Sequence, residues 1–173
     1  KAYKAARPRV RLALREMLSP EQAAALASGE LDFGLLLPPV AEAAVLEHLV
    51  VQRERFVAAL PARHRLARGR GKLPVSALAG EPLVMVPREI APGLYAIVAG
   101  LAARGGISLN VAQEAIQMQT VVRLVGAGIG VSLVPRSVRA LHSAGVAYRP
   151  LRKSPKLSAL ITAPFRASAS ASA

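Results

Sequence analysis

The chain has 173 residues, 53% of them hydrophobic, with 23 Lys and Arg against 10 Asp and Glu and a net charge of +13. That length allows one or two small lobes with real cores, and no apolar run is long enough to span a membrane as a helix. Cys is absent, which excludes disulfides, thiolate metal sites and a Cys nucleophile and fits a cytosolic protein.

No signal peptide is recognised. With three Phe, three Tyr and no Trp, the core must be built from Ala, Val and Leu. The positive charge would suit nucleic acid, a membrane surface or an anionic small molecule. The basic residues are scattered and not interleaved with aromatics, so a solvated basic surface accounts for them. Arg63, Arg65, Arg68, Arg70 and Lys72 form the nearest thing to a patch, in what reads as a mobile surface loop.

In chain order, Lys1 to Ala6 reads as the end of a helix closed by Arg7-Pro8. Val10, Leu12 and Leu14 alternate with Arg9, Arg11 and Arg15, which predicts a half-buried strand. At Ser19-Pro20-Glu21-Gln22 a helix begins, with Ser19 as cap, Pro20 at the first position and Gln22 completing a capping box. It ends at Gly29, expected in the left-handed region. Leu31 to Leu37 predicts a buried strand before Pro38-Pro39. Strand, helix, strand in that order implies a right-handed crossover and parallel pairing.

Leu46 to Val51 and Arg55 to Leu60 are two further expected strands. Val75 to Ala79 is a helical turn, Leu83 to Val86 a strand, Gly93 to Arg104 a helix stopped by Gly105-Gly106, and Ile107 to Val111 a strand. Arg136 to His142 is expected to be helical and capped near Gly145. Val146 to Leu151 and Leu157 to Ala163 are the last strands. Ala167 to Ala173 is a low-complexity Ala/Ser tail, expected to be disordered.

Between these lies Glu114 to Pro135, EAIQMQTVVRLVGAGIGVSLVP. Val121, Val122, Leu124 and Val125 give a helix an apolar face, with Gln119 and Thr120 near its unpaired N–H groups. Gly126, Gly128 and Gly130 break the pattern, and Val131 to Val134 suits a covered strand. On spacing alone this is a tight helix-to-strand turn. The dinucleotide fingerprint needs strand, glycines, then helix, so the reversed order argues against a phosphate loop.

No catalytic constellation stands out. His48, His64 and His142 are far apart and in no metal-ligand spacing. Ser132, in GVSLV, lacks the second glycine of a nucleophile elbow. Asp32, the sole Asp, has no His or Lys arranged nearby, and nothing in the sequence pairs Glu89 with Glu114. The chain is therefore read as no enzyme, with no metal and no cofactor.

The run VVRLVGAGIGVSLVP resembles the hallmark segment in the effector-binding domain of LysR-type transcriptional regulators. The segments ARPRVRLALREMLSPEQAAALASGELDFGLL, RERFVAALPARHRL and LAGEPLVMVPRE resemble further parts of that domain, in the same order. The resemblance implies an α/β, two-lobed type 2 periplasmic-binding-protein-like fold with an incomplete first lobe. Residues 1–53 would begin that lobe, 54–147 form the second, and 148–166 return to the first before the tail at 167–173. The family's helix-turn-helix, the first strand of its sensor and its usual C-terminal helix are not found in this chain, which therefore resembles a fragment.

The resemblance also implies a small-molecule effector, with anions among the candidates, bound in the cleft between lobes near helix N-termini. Ser19 falls where family members place a hydroxyl donor, and Met118 at a pocket-lining position beside Gln117 and Gln119. Leu37 falls where some aromatic-acid-responsive members carry Arg, which speaks against a dicarboxylate of that kind. Pro87 and Arg88, with Glu89, match the loop at the pocket mouth, and Gly128 completes the expected set. Ser19 reads equally as a plain helix cap, and Arg88 as a solvated loop charge. The implied mechanism is a shift in lobe populations that re-spaces DNA-binding domains in a homo-oligomer, with DNA bound only through the helix-turn-helix. The segment Arg9 to Arg15 and the helix Gly93 to Arg104 are the expected interface. A transport-linked solute-binding domain of the same fold, and a small basic nucleic-acid-binding protein, are the other readings.

Overall fold

A computed structural model describes residues 2–37, 46–154 and 156–164. Its elements are α1 (Ala2–Ala6), α2 (Ser19–Ala27), β1 (Gly34–Leu36), β2 (Leu46–Pro61), β3 (Leu83–Met85), α3 (Pro92–Arg104), β4 (Val111–Glu114), α4 (Met118–Gly126), β5 (Ser132–Pro135), β6 (Val146–Pro150) and β7 (Lys156–Pro164). Short 3-10 turns cover Arg65–Arg68, Val75–Leu78 and Arg136–Leu141.

The spine is β2. Leu46 to Val51 and Arg55 to Leu60, expected as two strands, are one strand of 16 residues. A register shift between Val50 and Gln52 absorbs the break in pattern, and the exposed Gln52 and Arg53 continue the ladder. A strand tolerates polar side chains on a solvated face, so their presence did not mark an end. The first part of β2 pairs antiparallel with β7, which also pairs with β1. The second part pairs antiparallel with β5 and β6. In that part every residue from Phe56 to Leu60 is buried.

Two hydrophobic clusters result. The larger gathers Phe56, Leu60, Val84, Val98, Val122 and Val134 among others, and its last described member is Leu151. Among the described residues the smaller holds Ala23, Leu26, Leu36 and Leu46, with Leu31 against it.

The expected strand at Val10 to Leu14 does not form. The segment is extended coil, and Val10, Leu12 and Leu14 are 41%, 51% and 94% exposed. An extended chain becomes a strand only when a neighbour takes its N–H and C=O groups, and none of the described strands lies beside it. The expected parallel crossover is therefore not made: β1 pairs antiparallel with β7. It is also shorter than Leu31 to Leu37, at three residues.

The start of α2 is shifted by one residue. Leu18, not Ser19, is the cap; its backbone N–H donates to Glu21 Oε2 at 3.0 Å. Gln22 instead donates from Nε2 to Met17 O at 2.8 Å. Gly29 closes the helix at φ +81°, as its type requires.

In the rest of the chain the ladder opposite β3 is taken by Val111–Glu114, four residues past the expected Ile107 start. The N–H of Ile107 is held by Ala102 O at 3.0 Å, finishing α3 instead. After α4, Gly128 adopts φ +85° and Gly130 lies against the backbone of Pro82. Val131 N–H then donates to Pro82 O, and Val84 N–H to Val131 O, both at 2.8 Å. The turn Arg136–Leu141 is capped by His142 at φ +44°, before Gly145 is reached.

The basic loop is anchored. Arg149 is 8% exposed and donates to the carbonyl oxygens of Leu66, Arg70 and Gly71. Arg65 pairs with Glu81 at 2.9 Å, and His64 Nδ1 accepts from Leu66 N–H at 3.2 Å. A charged donor that replaces water on three backbone acceptors fixes the loop's path.

Candidate functional site

A cleft of about 300 Å³ opens between the smaller cluster and the α3–α4 side of the larger one. One wall carries Met17, Ser19, Leu35 and Leu37; the other carries Val86, Ile90, Leu94, Ile116 and Met118. Alternation along β1 sends Leu36 into the core and leaves Leu35, 64% exposed, to the cleft. Among the described residues, no charged side chain lines the cleft.

Three helices begin at this cleft. Ser19 and Pro20 open α2, Pro92, Gly93 and Leu94 open α3, and Met118 opens α4. The first intrahelical bonds are made by Gln22 N–H to Leu18 O, Tyr95 N–H to Ala91 O and Val121 N–H to Gln117 O. The N–H groups of Ser19, Gly93, Leu94 and Met118 precede those ladders. They therefore add partial positive charge and free donors to an apolar pocket.

Ser19 ties the two parts of its wall together. Its Oγ accepts from Leu37 N–H at 3.2 Å, leaving the hydroxyl proton to be donated elsewhere. Ser19, Leu37 and Met118 are thus brought to one cleft from positions nearly a hundred residues apart. Pro87, Arg88, Gln117, Gln119 and Gly128 are not among its lining residues. Pro87 O accepts from Ile90 and Ala91 N–H and shapes the entry to α3. The Arg88 guanidinium lies 5.9 Å from the centre of the Tyr95 ring. Gln117 and Gln119 are exposed at the start of α4, and Gly128 sits past its other end.

The histidines do not gather. His64 Nε2 lies 3.2 Å from Glu81 Oε2, and His142 Nδ1 lies 2.6 Å from Ala140 O. Among the described residues no group of three His, Cys, Asp or Glu could hold a metal ion.

The family model described as "LysR substrate binding domain" matches residues 1–172. The chain is a LysR substrate-binding domain. HTH-type transcriptional regulator IlvR of Caulobacter vibrioides is 38% identical to it over 157 residues, 90% of this chain and 52% of the relative. HTH-type transcriptional regulator AlsR of Bacillus subtilis is 35% identical over 150 residues, 86% of this chain and 49% of the relative. This LysR domain thus spans about half the length of the curated relatives it matches. The BenM effector-binding domain with its effector benzoate superposes at TM-score 0.83 and 25% identity, over 95% of this chain and 75% of that one; BenM is from Acinetobacter baylyi. The fold of the domain is accordingly that of a periplasmic-binding-protein-like effector-binding module. These relatives are transcriptional regulators, which gives no support to the transport-linked reading.

Several lining residues had no signal in the sequence. Leu18, Leu35, Ile90 and Ile116 are unremarkable apolar residues whose role comes from facing each other across the cleft. Gly93 and Leu94, in the opening turn of α3, also line the cleft.

Proposed function

We propose that this domain senses a small, mostly apolar organic acid carrying one carboxylate, and that the full-length protein is a transcriptional regulator. The observation that carries the reading is the convergence of three helix N-termini on an otherwise apolar, uncharged cleft. Each N-terminus favours an anion by about 0.3–1 kcal/mol, up to about 2 when partly buried. That suits a single carboxylate. A second one would lie among Leu35, Leu37 and Ile116 without a cation to pair it, which is costly. Leu37 therefore works against dicarboxylates, and Ser19 Oγ is the side-chain donor to the bound acid. Pro87 and Arg88 act at the mouth, and Gln117 and Gln119 through the backbone at the start of α4.

In this reading residues 1–53 build one lobe and 54–147 the other, with β2 running through both. The return crossing lies after Leu151, whose side chain belongs to the larger cluster. An acid that fits one lobe arrangement better than another shifts their populations, and no chemical step is involved. A homo-oligomer in the cytoplasm, reaching DNA through a helix-turn-helix outside this chain, would read out the shift.

Thermal shift against matched butyrate-to-hexanoate carboxylates, their amides, benzoate and short dicarboxylates tests this. A ligand at a hundredfold its Kd adds about 2.7 kcal/mol. Stabilisation by monocarboxylates, absent with amides and lost in Met118→Glu, is expected. Equal stabilisation by amides, or a preference for dicarboxylates, would overturn it.

A further inference from the structure

A second concavity, of about 980 Å³, lies between the middle of β2, the turn Arg136–Leu141 and β6. It shares no lining residue with the cleft. Its walls hold two pairs of arginines. Arg53 and Arg55 are two apart on β2 and so project to the same face of the strand. Arg136 and Arg139 are three apart in a 3-10 turn, where side chains at that spacing eclipse. His142 and Tyr148 complete the lining.

Three arginines elsewhere have partners: Arg15 pairs with Glu30, Arg65 with Glu81, and Arg149 with three carbonyls. Among the described residues no acidic side chain lines this depression, and none of its four arginines forms an ion pair. Tyr148 lines the depression as well, but not through its hydroxyl, which is buried and has no hydrogen-bond partner among the described residues.

We propose that this depression is a second binding site, taking a small, multiply charged phosphoryl anion held by Arg53, Arg55, Arg136 and Arg139. Guanidinium forks match phosphoryl oxygens, and four of them exceed what one carboxylate could use. A concave site bounded by a strand, a turn and a second strand selects a compact anion, where a nucleic-acid backbone asks for an extended basic track. The proposal is independent of what the cleft binds.

The test is isothermal titration of inorganic pyrophosphate into the 173-residue chain at fixed ionic strength. One saturable site is expected, weakened at least tenfold in Arg136→Ala/Arg139→Ala and likewise in Arg53→Ala/Arg55→Ala. The charge-matched control Arg11→Ala/Arg104→Ala, at exposed positions outside the depression, keeps the affinity. Arg136→Gln/Arg139→Gln repeats the test should the alanine variant unfold, as judged by its melting curve. No binding, or equal loss in test and control variants, overturns the proposal. So does a duplex DNA that binds with steep salt dependence through the same arginines while pyrophosphate does not.

Discussion

Replacing Gly130 by Ala should damage the fold more than its small size suggests. A Cβ at Gly130 would overlap the carbonyl oxygen of Pro82 and lie 2.9 Å from its carbon. The obstacle is backbone, so no side chain can swing away. Relief requires β5 to move off β3, at the point where Val131 N–H meets Pro82 O and Val84 N–H meets Val131 O. Weakening two such bonds costs about 0.5–1.5 kcal/mol each, and strain in the packed core around Val84 and Val131 adds about 1–3 kcal/mol. Gly130→Ala should therefore destabilise by about 2–6 kcal/mol. Gly128→Ala is the comparison. Its Cβ would meet nothing within 4 Å, so only the φ of +85° is at issue, costing about 1–2 kcal/mol. Urea denaturation of both variants, with m-values unchanged, measures the difference. A loss at Gly130 no larger than at Gly128 would refute the close-approach argument.

Three more outcomes follow from the packing. Arg149→Met keeps the bulk but removes the donors to Leu66, Arg70 and Gly71; it should cost about 2–4 kcal/mol and speed proteolysis between residues 62 and 72. Leu26→Ala, at a fully buried position beside Ala23, Leu36 and Leu46, should cost about 2–5 kcal/mol. In the unaltered chain the amides of α2 should already exchange faster than those of Phe56 to Leu60, as hydrogen exchange will show; equal rates would contradict the unequal clusters. Tyr148→Phe should leave stability unchanged or higher at neutral pH, because it removes an unpaired buried hydroxyl. The Tyr148 pKa is raised in the fold, so above pH 10 the unfolded chain loses that proton first and stability falls as pH rises toward the folded value. Denaturation midpoints in alkaline buffer should therefore decline less in Tyr148→Phe.

Helices were legible where local chemistry decides them. Pro20 and Gly29 fix the start and the stop of α2 through their own backbone limits, and α2 and α3 lie within a residue of where the sequence puts them. Strands were legible only in part. The apolar run at Ile107 lost its ladder to Val111–Glu114, and Val10 to Leu14 had the alternation but no neighbour. For the cleft, Ser19, Leu37 and Met118 came from family resemblance; Leu18, Leu35 and Ile116 carry no local mark. Arg149 looked like any other arginine until the fold brought three carbonyls to it.

By itself the sequence determined that α2, α3 and α4 are helices, the glycine-bound turn after α4, the absence of thiol chemistry and the family, because each depends on residues near one another in the chain. The tertiary structure alone decided that β2 is a single strand, that Val10 to Leu14 is not one, and which apolar residues face the cleft. Those depend on hydrogen-bond partners and opposing walls supplied from distant parts of the chain, and no local pattern encodes a partner.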